Sequence, residues 1–445
     1  MAFHMPSTPP SPTPTEITLT GNNTLEWASS PPTPLNLDEI ILIRKRPLRI
    51  GGYIIYSLPS LLPPFQIKSQ FASSLPESHL SHLLVTSLPQ HLTANPITII
   101  VSTKSGLGHA LPFWESVLQP LLHGLGILPD DENGKDGSES GSDSSDDGYT
   151  ARYRLIVTES EHTIRDYAAQ QSNDNNGLTI LLSGDGGVVD LINGASGRTV
   201  AVLPLGTGNA LFHSLGGGDL IRGVRTLFTG TVKPLPTLHA TFSSGARLIS
   251  TGNKIDSLYG CIVASYGFHA SLVYESDTPA YRVHGDKRFG MAAGELLKLS
   301  HAYDAKVEVK HTGQLKWKGL GQTWNYVLAT MVSNLEKTFK ISPESKPLDG
   351  KLRLVTFGNV GGERTMEVMK AAYAGGEHVG MRWEDGKGVG YEEVEEVRVT
   401  VEEEDARWRV MCIDGTIVQV ERGGWMSVRR AGEERTEVLV GRDVV

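Results

Sequence analysis

The 445-residue sequence has few of the features that mark secreted or membrane-spanning proteins. Its two cysteines, Cys261 and Cys412, lie inside apolar strand-like runs, so we expect buried thiols in a reducing compartment. Runs of 18 or more apolar residues are missing, so no transmembrane helix is predicted. The N-terminus lacks the basic-then-apolar pattern of a signal peptide. These absences predict a cytoplasmic protein.

Missing motifs exclude several classes of enzyme. No Gly-Lys pair is followed by Ser or Thr, so a Walker A loop is absent, and HExxH, Cys/His clusters, GxSxG and protein-kinase signatures are absent too. A dinucleotide-binding fingerprint is incomplete, because no Asp or Glu occurs from Leu191 through Gly218 to bind a ribose hydroxyl. Metalloproteases, serine hydrolases and NAD(P) oxidoreductases are therefore disfavoured.

An excess of positive charge is also missing, and the net charge of −9 argues against nucleic-acid binding. Much of that charge lies in residues 130–148, which hold eight acidic residues and one lysine. We predict that this tract is a disordered surface insertion. Residues 1–15 are rich in Pro, Ser and Thr and are predicted to be disordered as well.

The order of predicted strands and helices divides the remaining chain into three parts. Residues 16–94 contain short alternating runs broken by prolines, which predict a β-rich accessory segment, either a small domain or strands lent to another sheet. Residues 95–225 alternate apolar β-branched runs with amphipathic stretches, which predicts an α/β lobe with a parallel sheet. Residues 226–445 are dominated by short strands, with "FGMAAGELLKLSHAY" as the only clear helix, which predicts an antiparallel β-sandwich lobe. A ligand is expected in a cleft between the lobes.

Four turns suited to phosphate follow successive strands of the predicted α/β lobe. They read "STKSGLG", "TES", "SGDGG" and "LPLGTGNA". Glycine lets the backbone approach a phosphate closely, and the start of the following helix attracts anions. Because open α/β sheets place their ligands at the carboxyl ends of the strands, these turns predict a nucleotide site.

A single aspartate, Asp185, stands between two glycines in the third turn. A carboxylate beside phosphates can hold Mg²⁺ or take a proton from an attacking hydroxyl. Asp190 lies one helical turn further on and is expected to face the same turn, which makes it a candidate Mg²⁺ ligand. In the alternative interpretation, Asp185 caps the helix and Asp190 is merely solvated.

These motifs, "SGDGGVVDLINGA" followed by "LPLGTGNAL", resemble the diacylglycerol kinase catalytic domain that sphingosine, ceramide and diacylglycerol kinases share. The resemblance spans roughly residues 95–420. It includes "ASYGFHASLVYESDTPAYRVHGDKRFG", which is similar to the sphingosine and ceramide kinase branch, and "MCIDGT", which resembles a late Asp-Gly-Glu motif. The resemblance implies an ATP- and Mg²⁺-dependent kinase that phosphorylates a hydroxyl of a sphingoid or ceramide-like lipid. Its β lobe would bind the lipid, and the protein would contact a membrane surface peripherally.

The resemblance also implies roles for individual residues. Asp185 would be the general base that activates the lipid hydroxyl. The nucleotide site would be formed by Ser105, Gly106, Thr158, Gly184, Gly186, Gly187, Gly206, Thr207, Gly208, Asn209, Arg282, Arg288, Asp414 and Gly415. The two arginines would bind phosphate oxygens bidentately. The basic stretch "IRKRPLRI" is a candidate contact with anionic lipid.

Three positions depart from the family's pattern. Ser102 and Thr103 replace an Asn-Pro pair in the first turn, and Thr416 replaces the Glu of the late motif. Ser271 stands where the sphingosine branch has an acidic residue that suits a lipid amine. A diacylglycerol or acylglycerol kinase is therefore an open alternative. So are a non-catalytic lipid- or nucleotide-binding relative and a kinase for a soluble acceptor such as NAD or a sugar phosphate.

Overall fold

The computed structural model describes residues 17–21, 23–27, 34–46, 51–130, 151–171, 177–194 and 197–444. Residues 1–15 and all but the first residue of the acidic tract, both expected to be disordered, lie outside these ranges. The described chain divides into two compact units. Unit 1 consists of the described residues up to Ala94, of Pro112–Tyr153 and of Asp219–Thr229, and unit 2 of those in Asn95–Leu111, in Arg154–Gly218 and from Gly230 onward.

Strands are the most frequent elements of the described chain. They are β1 (Ile17–Thr20), β2 (Thr24–Trp27), β3 (Leu35–Asn36), β4 (Ile40–Lys45), β5 (Tyr53–Ser57), β6 (Lys68–Ala72), β7 (Leu84–Val85), β8 (Ile97–Val101), β9 (Ile127–Pro129), β10 (Ala151–Val157), β11 (Leu178–Ser183), β12 (Arg198–Pro204), β13 (Thr231–Pro234), β14 (Leu238–Phe242), β15 (Arg247–Leu248), β16 (Ser257–Gly260), β17 (Val263–Gly267), β18 (Tyr303–Lys310), β19 (Lys318–Thr330), β20 (Arg353–Gly358), β21 (Gly390–Glu393), β22 (Glu396–Val401), β23 (Val410–Ile413), β24 (Thr416–Gln419), β25 (Trp425–Arg430) and β26 (Thr436–Val440).

Helices connect many of these strands. They are α1 (Glu77–Leu80), α2 (Gln90–Thr93), α3 (Ala110–Phe113), α4 (Gln119–Gly124), α5 (Thr163–Ala169), α6 (Asp185–Gly194), α7 (Ala210–Ser214), α8 (Leu220–Thr229), α9 (Phe268–Ser276), α10 (Pro279–Arg282), α11 (Arg288–Leu299) and α12 (Gly362–Tyr373). A π-helical turn at Trp114–Leu118 joins α3 to α4, and short 3₁₀ turns occur at Leu37–Glu39, Ser81–Leu83, Gly285–Lys287 and Ala406–Trp408.

Unit 1 is rich in strands, as the sequence predicts for residues 16–94. It contains the antiparallel sheet β1-β2-β3 and the four-stranded sheet β6-β5-β4-β7. Aliphatic side chains of both sheets, such as Leu25, Ile40 and Ile55, are fully buried in one core. Unit 1 also includes segments expected in the α/β lobe. One of these is α8, where the Leu227 carbonyl oxygen lies 2.8 Å from Nε2 of His91.

Unit 2 contains the predicted parallel sheet. Its strand order is β13-β26-β12-β11-β8-β10, and β10 begins in unit 1, where its first residues pair in parallel with β9. β8, β11, β12 and β26 are parallel to one another, and β13 is antiparallel to β26. Every residue of β8 and β11 is buried, which explains why these strands read as continuous apolar runs.

A second, twelve-stranded sheet of unit 2 is antiparallel, as predicted for residues 226–445. Its order is β15-β24-β23-β17-β19-β18-β22-β25-β14-β16, with β20 paired to β19 and β21 to β20. The strands thus form one continuous sheet, whereas a sandwich of two sheets was expected. The 13-residue strand β19 makes this possible, because it pairs with β17, β18 and β20.

The prediction of a single helix after residue 226 is wrong. The expected helix is present as α11, but α9, α10 and α12 are helical too. In α9, Phe268, Val273 and Tyr274 have side chains that favour strands, and packing against the sheet overrides that preference. In the described residues, no helix is both long and apolar enough to cross a bilayer.

Both sheets of unit 2 share one hydrophobic core. Leu181 and Val188 from the α/β part belong to the same buried cluster as Tyr266, Val327 and Val399 from the antiparallel sheet. The parallel strands are thereby held against the larger sheet inside one unit. This arrangement brings the turns at the carboxyl ends of the parallel strands close to β17 and β23.

Candidate active site

The third turn fixes the Asp185 carboxylate between two helices of unit 2. β11 ends at Ser183, and α6 begins at Asp185 itself. Oδ2 of Asp185 accepts a hydrogen bond from the Ala210 N–H at 2.8 Å, and Oδ1 accepts one from the Leu211 N–H at 3.0 Å. Asp185 therefore caps α7, a neighbouring helix, rather than only its own. Each carboxylate oxygen keeps a second lone pair for a further partner.

Close backbone contacts hold the first, third and fourth turns together. A Cβ atom on Gly206 would lie 2.3 Å from Cα of Gly184, and one on Gly106 would lie 2.7 Å from the Leu205 carbonyl oxygen. Any larger residue at these positions would push the turns apart. Several of the predicted phosphate-binding glycines thus serve first to pack one turn against another.

Side chains complete the connections among the four turns. The Ser105 hydroxyl accepts a hydrogen bond from the Gly184 N–H at 3.2 Å, which joins the first turn to the third. The Thr103 N–H donates to Oγ1 of Thr158 at 3.0 Å, and its hydroxyl donates to the Thr158 carbonyl at 3.0 Å. Thr103, one of the departures from the family's pattern, therefore ties the first turn to the second.

The fourth turn is shaped by Asn209, which has a left-handed φ of 51°. Its side chain accepts from the Gly206 N–H at 2.9 Å and donates to the Gly206 carbonyl at 3.0 Å. Thr207 stays exposed at the tip of this turn. A Cβ atom on Gly208 would lie 3.8 Å from Oδ2 of Asp185, so this backbone borders the carboxylate directly.

Open space adjoins the start of α6. Gly186 is exposed, and a Cβ atom built on it meets no other atom within 4 Å. Gly187 is buried, and its Cβ would lie 2.8 Å from the Ser183 hydroxyl. The space beside Gly186, next to a ten-residue helix start, is where an anionic phosphate would fit best.

Asp414 is a second carboxylate close to Asp185. It has a left-handed φ of 46°, and its oxygens accept hydrogen bonds from the N–H groups of Cys261 (2.5 Å), Ile262 (3.1 Å) and Val263 (2.5 Å). The late motif was expected to reach the nucleotide, but this side chain binds the backbone that leads into β17. Gly415 follows it and is exposed.

Burial perturbs both carboxyl groups. It raises the pKa of Asp414 to about 7; the three N–H bonds oppose this shift, and the negative charge of Asp185 adds to it. Burial also raises the pKa of Asp185, against the opposing effect of the Leu211 and Ala210 N–H groups. The two groups are therefore electrostatically coupled, and Asp185 is a stronger base than an exposed aspartate.

The candidate metal ligand Asp190 forms an ion pair. Arg165 of α5 donates from Nε at 3.1 Å and from Nη2 at 2.9 Å to the same oxygen, Oδ1. The pair joins α6 to α5 and occupies one oxygen of the predicted ligand. Among the residues that the structure describes, no group of three or more His, Cys, Asp or Glu side chains could hold a metal ion.

The two predicted phosphate-binding arginines meet at one carboxylate, Asp277. Arg282 donates to it from Nε at 3.1 Å and from Nη2 at 2.7 Å, and Arg288 donates from Nη1 at 3.1 Å. Asp277 raises the pKa of Arg282, and Glu161, which follows the second turn, contributes to the shift. Arg282 thus lies near the second turn, and both arginines are paired with Asp277.

Sequence reasoning missed the partners of these functional side chains. Asp277 lies five residues before Arg282, a spacing that could have suggested the pair. Arg165 lies on a predicted helix, but nothing in the sequence links it to Asp190. The backbone donors of residues 261–263 carry no signal in the sequence, because any residue type supplies an N–H except proline.

A comparison with models of protein families matches the part of the chain that contains Asp185 and three of the four turns. Residues 144–240 match the diacylglycerol kinase catalytic domain. The matched segment contains β10, β11 and β12 and therefore the second, third and fourth turns, including Asp185. The comparison with curated proteins gives no match.

Solved structures share the fold of most of this chain at low sequence identity. A putative diacylglycerol kinase from Bacillus anthracis str. Sterne superposes with a TM-score of 0.52 and 15% identity, over 79% of this chain and 96% of the other. A second structure under that description gives a TM-score of 0.50 and 14% identity, over 79% and 98%. The combination of a parallel α/β sheet with a large antiparallel sheet is thus the fold of these diacylglycerol kinase-like proteins.

Proposed function

We propose that this protein is an ATP-dependent lipid kinase in which Asp185 is the general base. The observation that carries the proposal is the placement of the Asp185 carboxylate. It is fixed by the Ala210 and Leu211 N–H groups where four strand-ending turns meet, beside the open space at Gly186. The match of residues 144–240 to the diacylglycerol kinase catalytic domain supports the same reaction class.

In this proposal the acceptor hydroxyl attacks the terminal phosphate of ATP, the bond to the bridging oxygen breaks so that ADP leaves, and Asp185 takes the hydroxyl proton. Its raised pKa suits this role, because a base is most effective when its pKa is close to the working pH. Backbone N–H groups at the start of α6 and in the fourth turn would bind phosphate oxygens.

Mg²⁺, when bound, would neutralise charge on the nucleotide phosphates. It usually binds through one or two carboxylates and phosphate oxygens rather than through an all-protein site. Asp185 keeps free lone pairs for such a contact, whereas one oxygen of Asp190 is engaged by Arg165. We therefore propose that the phosphates provide most of the magnesium ligands.

For the acceptor, we propose an uncharged hydroxyl lipid, a ceramide or a diacylglycerol, rather than an amine-bearing sphingoid base. Ser271 is fully buried beside Tyr303, and the two glutamates that act on Tyr303 are already paired, Glu275 with Arg407 and Glu403 with His301. A cationic amine would find no free carboxylate there to offset its loss of water.

The direct test is phosphoryl transfer from radiolabelled ATP by the full chain, with lipids presented in mixed micelles. We expect labelling of diacylglycerol or ceramide and at least tenfold less labelling of sphingosine. Nucleotide binding without labelling of any lipid would favour the non-catalytic relative. A labelled soluble acceptor in the absence of detergent would overturn the lipid proposal.

The variant Asp185→Asn tests the base. It should lower turnover about 10²- to 10⁴-fold while leaving ATP affinity unchanged, since the amide oxygen can still accept one of the two N–H groups of α7 but the side chain cannot take the proton. Asp219→Asn is the matched control, because Asp219 also accepts a helix-start N–H, from Arg222 at 3.0 Å. If Asp185→Asn kept the turnover of the wild type, another group would have to be the base.

A further inference from the structure

The loop between β5 and β6 carries solvent-exposed aliphatic side chains. Pro59–Pro64 are six consecutive exposed residues that lie between Leu58, which is 1% exposed, and Phe65, which is 5% exposed. Within this segment, Leu61 is 40% exposed and Leu62 is 69% exposed. Single exposed leucines are ordinary on protein surfaces, but two adjacent ones flanked by prolines form a continuous apolar tip.

This tip is held in place by the rest of unit 1. The Ser60 hydroxyl donates to the Leu62 carbonyl at 2.8 Å and accepts from the Leu62 N–H at 3.2 Å, which closes the turn. The base is anchored on both sides: the Leu58 N–H donates to the Glu39 carbonyl at 2.8 Å, and the Phe65 ring packs edge-on against Phe113 at 5.2 Å. The two leucines are therefore exposed by a turn that hydrogen bonds and packing hold in place.

The chemistry of the tip favours a bilayer over a protein partner. From Tyr53 through Pro76, Lys68 is the only charged residue. Hot spots of protein interfaces are enriched in Trp, Tyr and Arg and are surrounded by polar residues, and the tip has none of these three types. The membrane interface accepts aliphatic side chains without a complementary shape.

We propose that Pro59–Pro64, the docking loop, inserts Leu61 and Leu62 into the interface of a lipid bilayer. This inference rests on the proposed function, since the kinase would meet its acceptor at that surface. The loop itself carries no charge, so binding should depend on apolar insertion and little on salt or anionic lipid. The basic stretch at residues 43–50 fits less well where it is described, because Ile43 is buried and Arg44 donates to the Gly124 carbonyl at 2.6 Å.

Co-sedimentation of the full chain with phosphatidylcholine vesicles tests the docking loop. The double variant Leu61→Glu/Leu62→Glu should lower the bound fraction at least fivefold. Leu315→Glu is the control, because Leu315 is 94% exposed in the connection between β18 and β19 and should tolerate the same change without effect. Equal binding by the double variant and the wild type, or no binding of the wild type to any vesicle, would overturn the proposal.

A labelled variant gives a second measurement that does not depend on loss of binding. Leu62→Cys carrying an environment-sensitive dye should shift to the blue when vesicles are added, and Leu315→Cys should not. Both native cysteines are buried, so the dye reports the introduced thiol. A dye at position 62 that stays in water while the protein is vesicle-bound would place the contact elsewhere.

Activity measurements separate this inference from the proposed function. With a short-chain diacylglycerol dissolved as monomers, the double variant should keep the kcat/KM of the wild type. With long-chain substrate in vesicles, its rate should fall at least fivefold. If the wild type phosphorylates no lipid but its vesicle binding still requires Leu61 and Leu62, the kinase proposal fails and the docking loop stands.

Discussion

At the scale of single residues, Asp185 and Asp414 differ in how fully their oxygens are used. Asp185 accepts one N–H on each oxygen and borders open space, whereas Asp414 takes the N–H groups of three consecutive residues. The first carboxylate can still react with a ligand. The second is committed to the backbone, so we infer that it positions β17.

The raised pKa of Asp185 predicts the pH dependence of the proposed activity. A general base works only when deprotonated, so kcat/KM should rise with pH through the pKa of Asp185. The acid limb should lie above the ordinary aspartate value of about 3.9. The measurement is kcat/KM between pH 4.5 and 9 on the wild type. A profile that is flat down to pH 4.5 would contradict the prediction.

The variant Asp414→Asn tests whether Asp414 is charged at the pH at which Asp185 titrates. Below its pKa of about 7, Asp414 is protonated and uncharged, so its replacement should leave an acid limb that lies in this range in place. Asp405→Asn is the control, since Asp405 is exposed and only caps a short 3₁₀ turn. A shift of the acid limb to lower pH would mean that Asp414 is ionised, and therefore negatively charged, while Asp185 titrates.

The role of Asp190 also belongs at this scale, and its pairing with Arg165 leads us to expect a structural role rather than the role of magnesium ligand suggested by the sequence. In the structure it pairs with Arg165, whose side chain is 42% exposed, so the pair should contribute about 0.5–1 kcal/mol. We expect Asp190→Asn and Arg165→Met to lower the free energy of unfolding by similar, non-additive amounts in a double-mutant cycle. We also expect no change in the Mg²⁺ concentration needed for half-maximal activity. A several-fold increase in Asp190→Asn alone would identify Asp190 as a metal ligand.

At the scale of elements, the glycines of the turns divide into two groups. Gly184, Gly206 and Gly106 allow turns to touch, whereas Gly186 faces open space. The sequence predicted the turns and their position at strand ends. It could not separate the two groups, because the difference depends on which backbone lies across from each glycine.

Gly206→Ala and Gly186→Ala test this division. The first should cost about 1–3 kcal/mol in the free energy of unfolding, because its Cβ would overlap Gly184. The second should leave stability unchanged and raise the KM for ATP several-fold, because the methyl group would enter the proposed phosphate space. Urea unfolding and ATP kinetics measure the two effects. A stable Gly206→Ala or a Gly186→Ala with an unchanged KM would refute the corresponding assignment.

Individual helices and strands were predicted where a single local pattern dominates. β8, β11 and α11 follow directly from apolar runs or helical periodicity. α9 was missed because its aromatic and β-branched residues favour a strand until packing decides otherwise. The short strand β26 was assigned to the β lobe because it follows residue 226, whereas it pairs with β12 in the parallel sheet.

At the scale of the whole molecule, the sequence predicted both classes of sheet but not the boundaries of the compact units. Unit 1 takes its residues from three separate stretches of chain, and one of them is helix α8. Composition changes gradually along such a chain, so the sequence alone places boundaries only between consecutive stretches, near residues 95 and 226. Contacts between distant segments such as His91 and Leu227 are invisible without the structure.

One consequence concerns the order in which the protein is made. In the parallel sheet, β12 lies between β11 and β26, and Thr199 of β12 donates a hydrogen bond to Glu437, 238 positions further along the chain. While a ribosome synthesises the chain, β12 therefore leaves the exit tunnel long before its neighbour exists. Its open edge has to be kept from pairing with other strands during that interval. The sheet beneath the four turns becomes complete only after every strand of the antiparallel sheet has been translated, because β26 follows all of them in the chain.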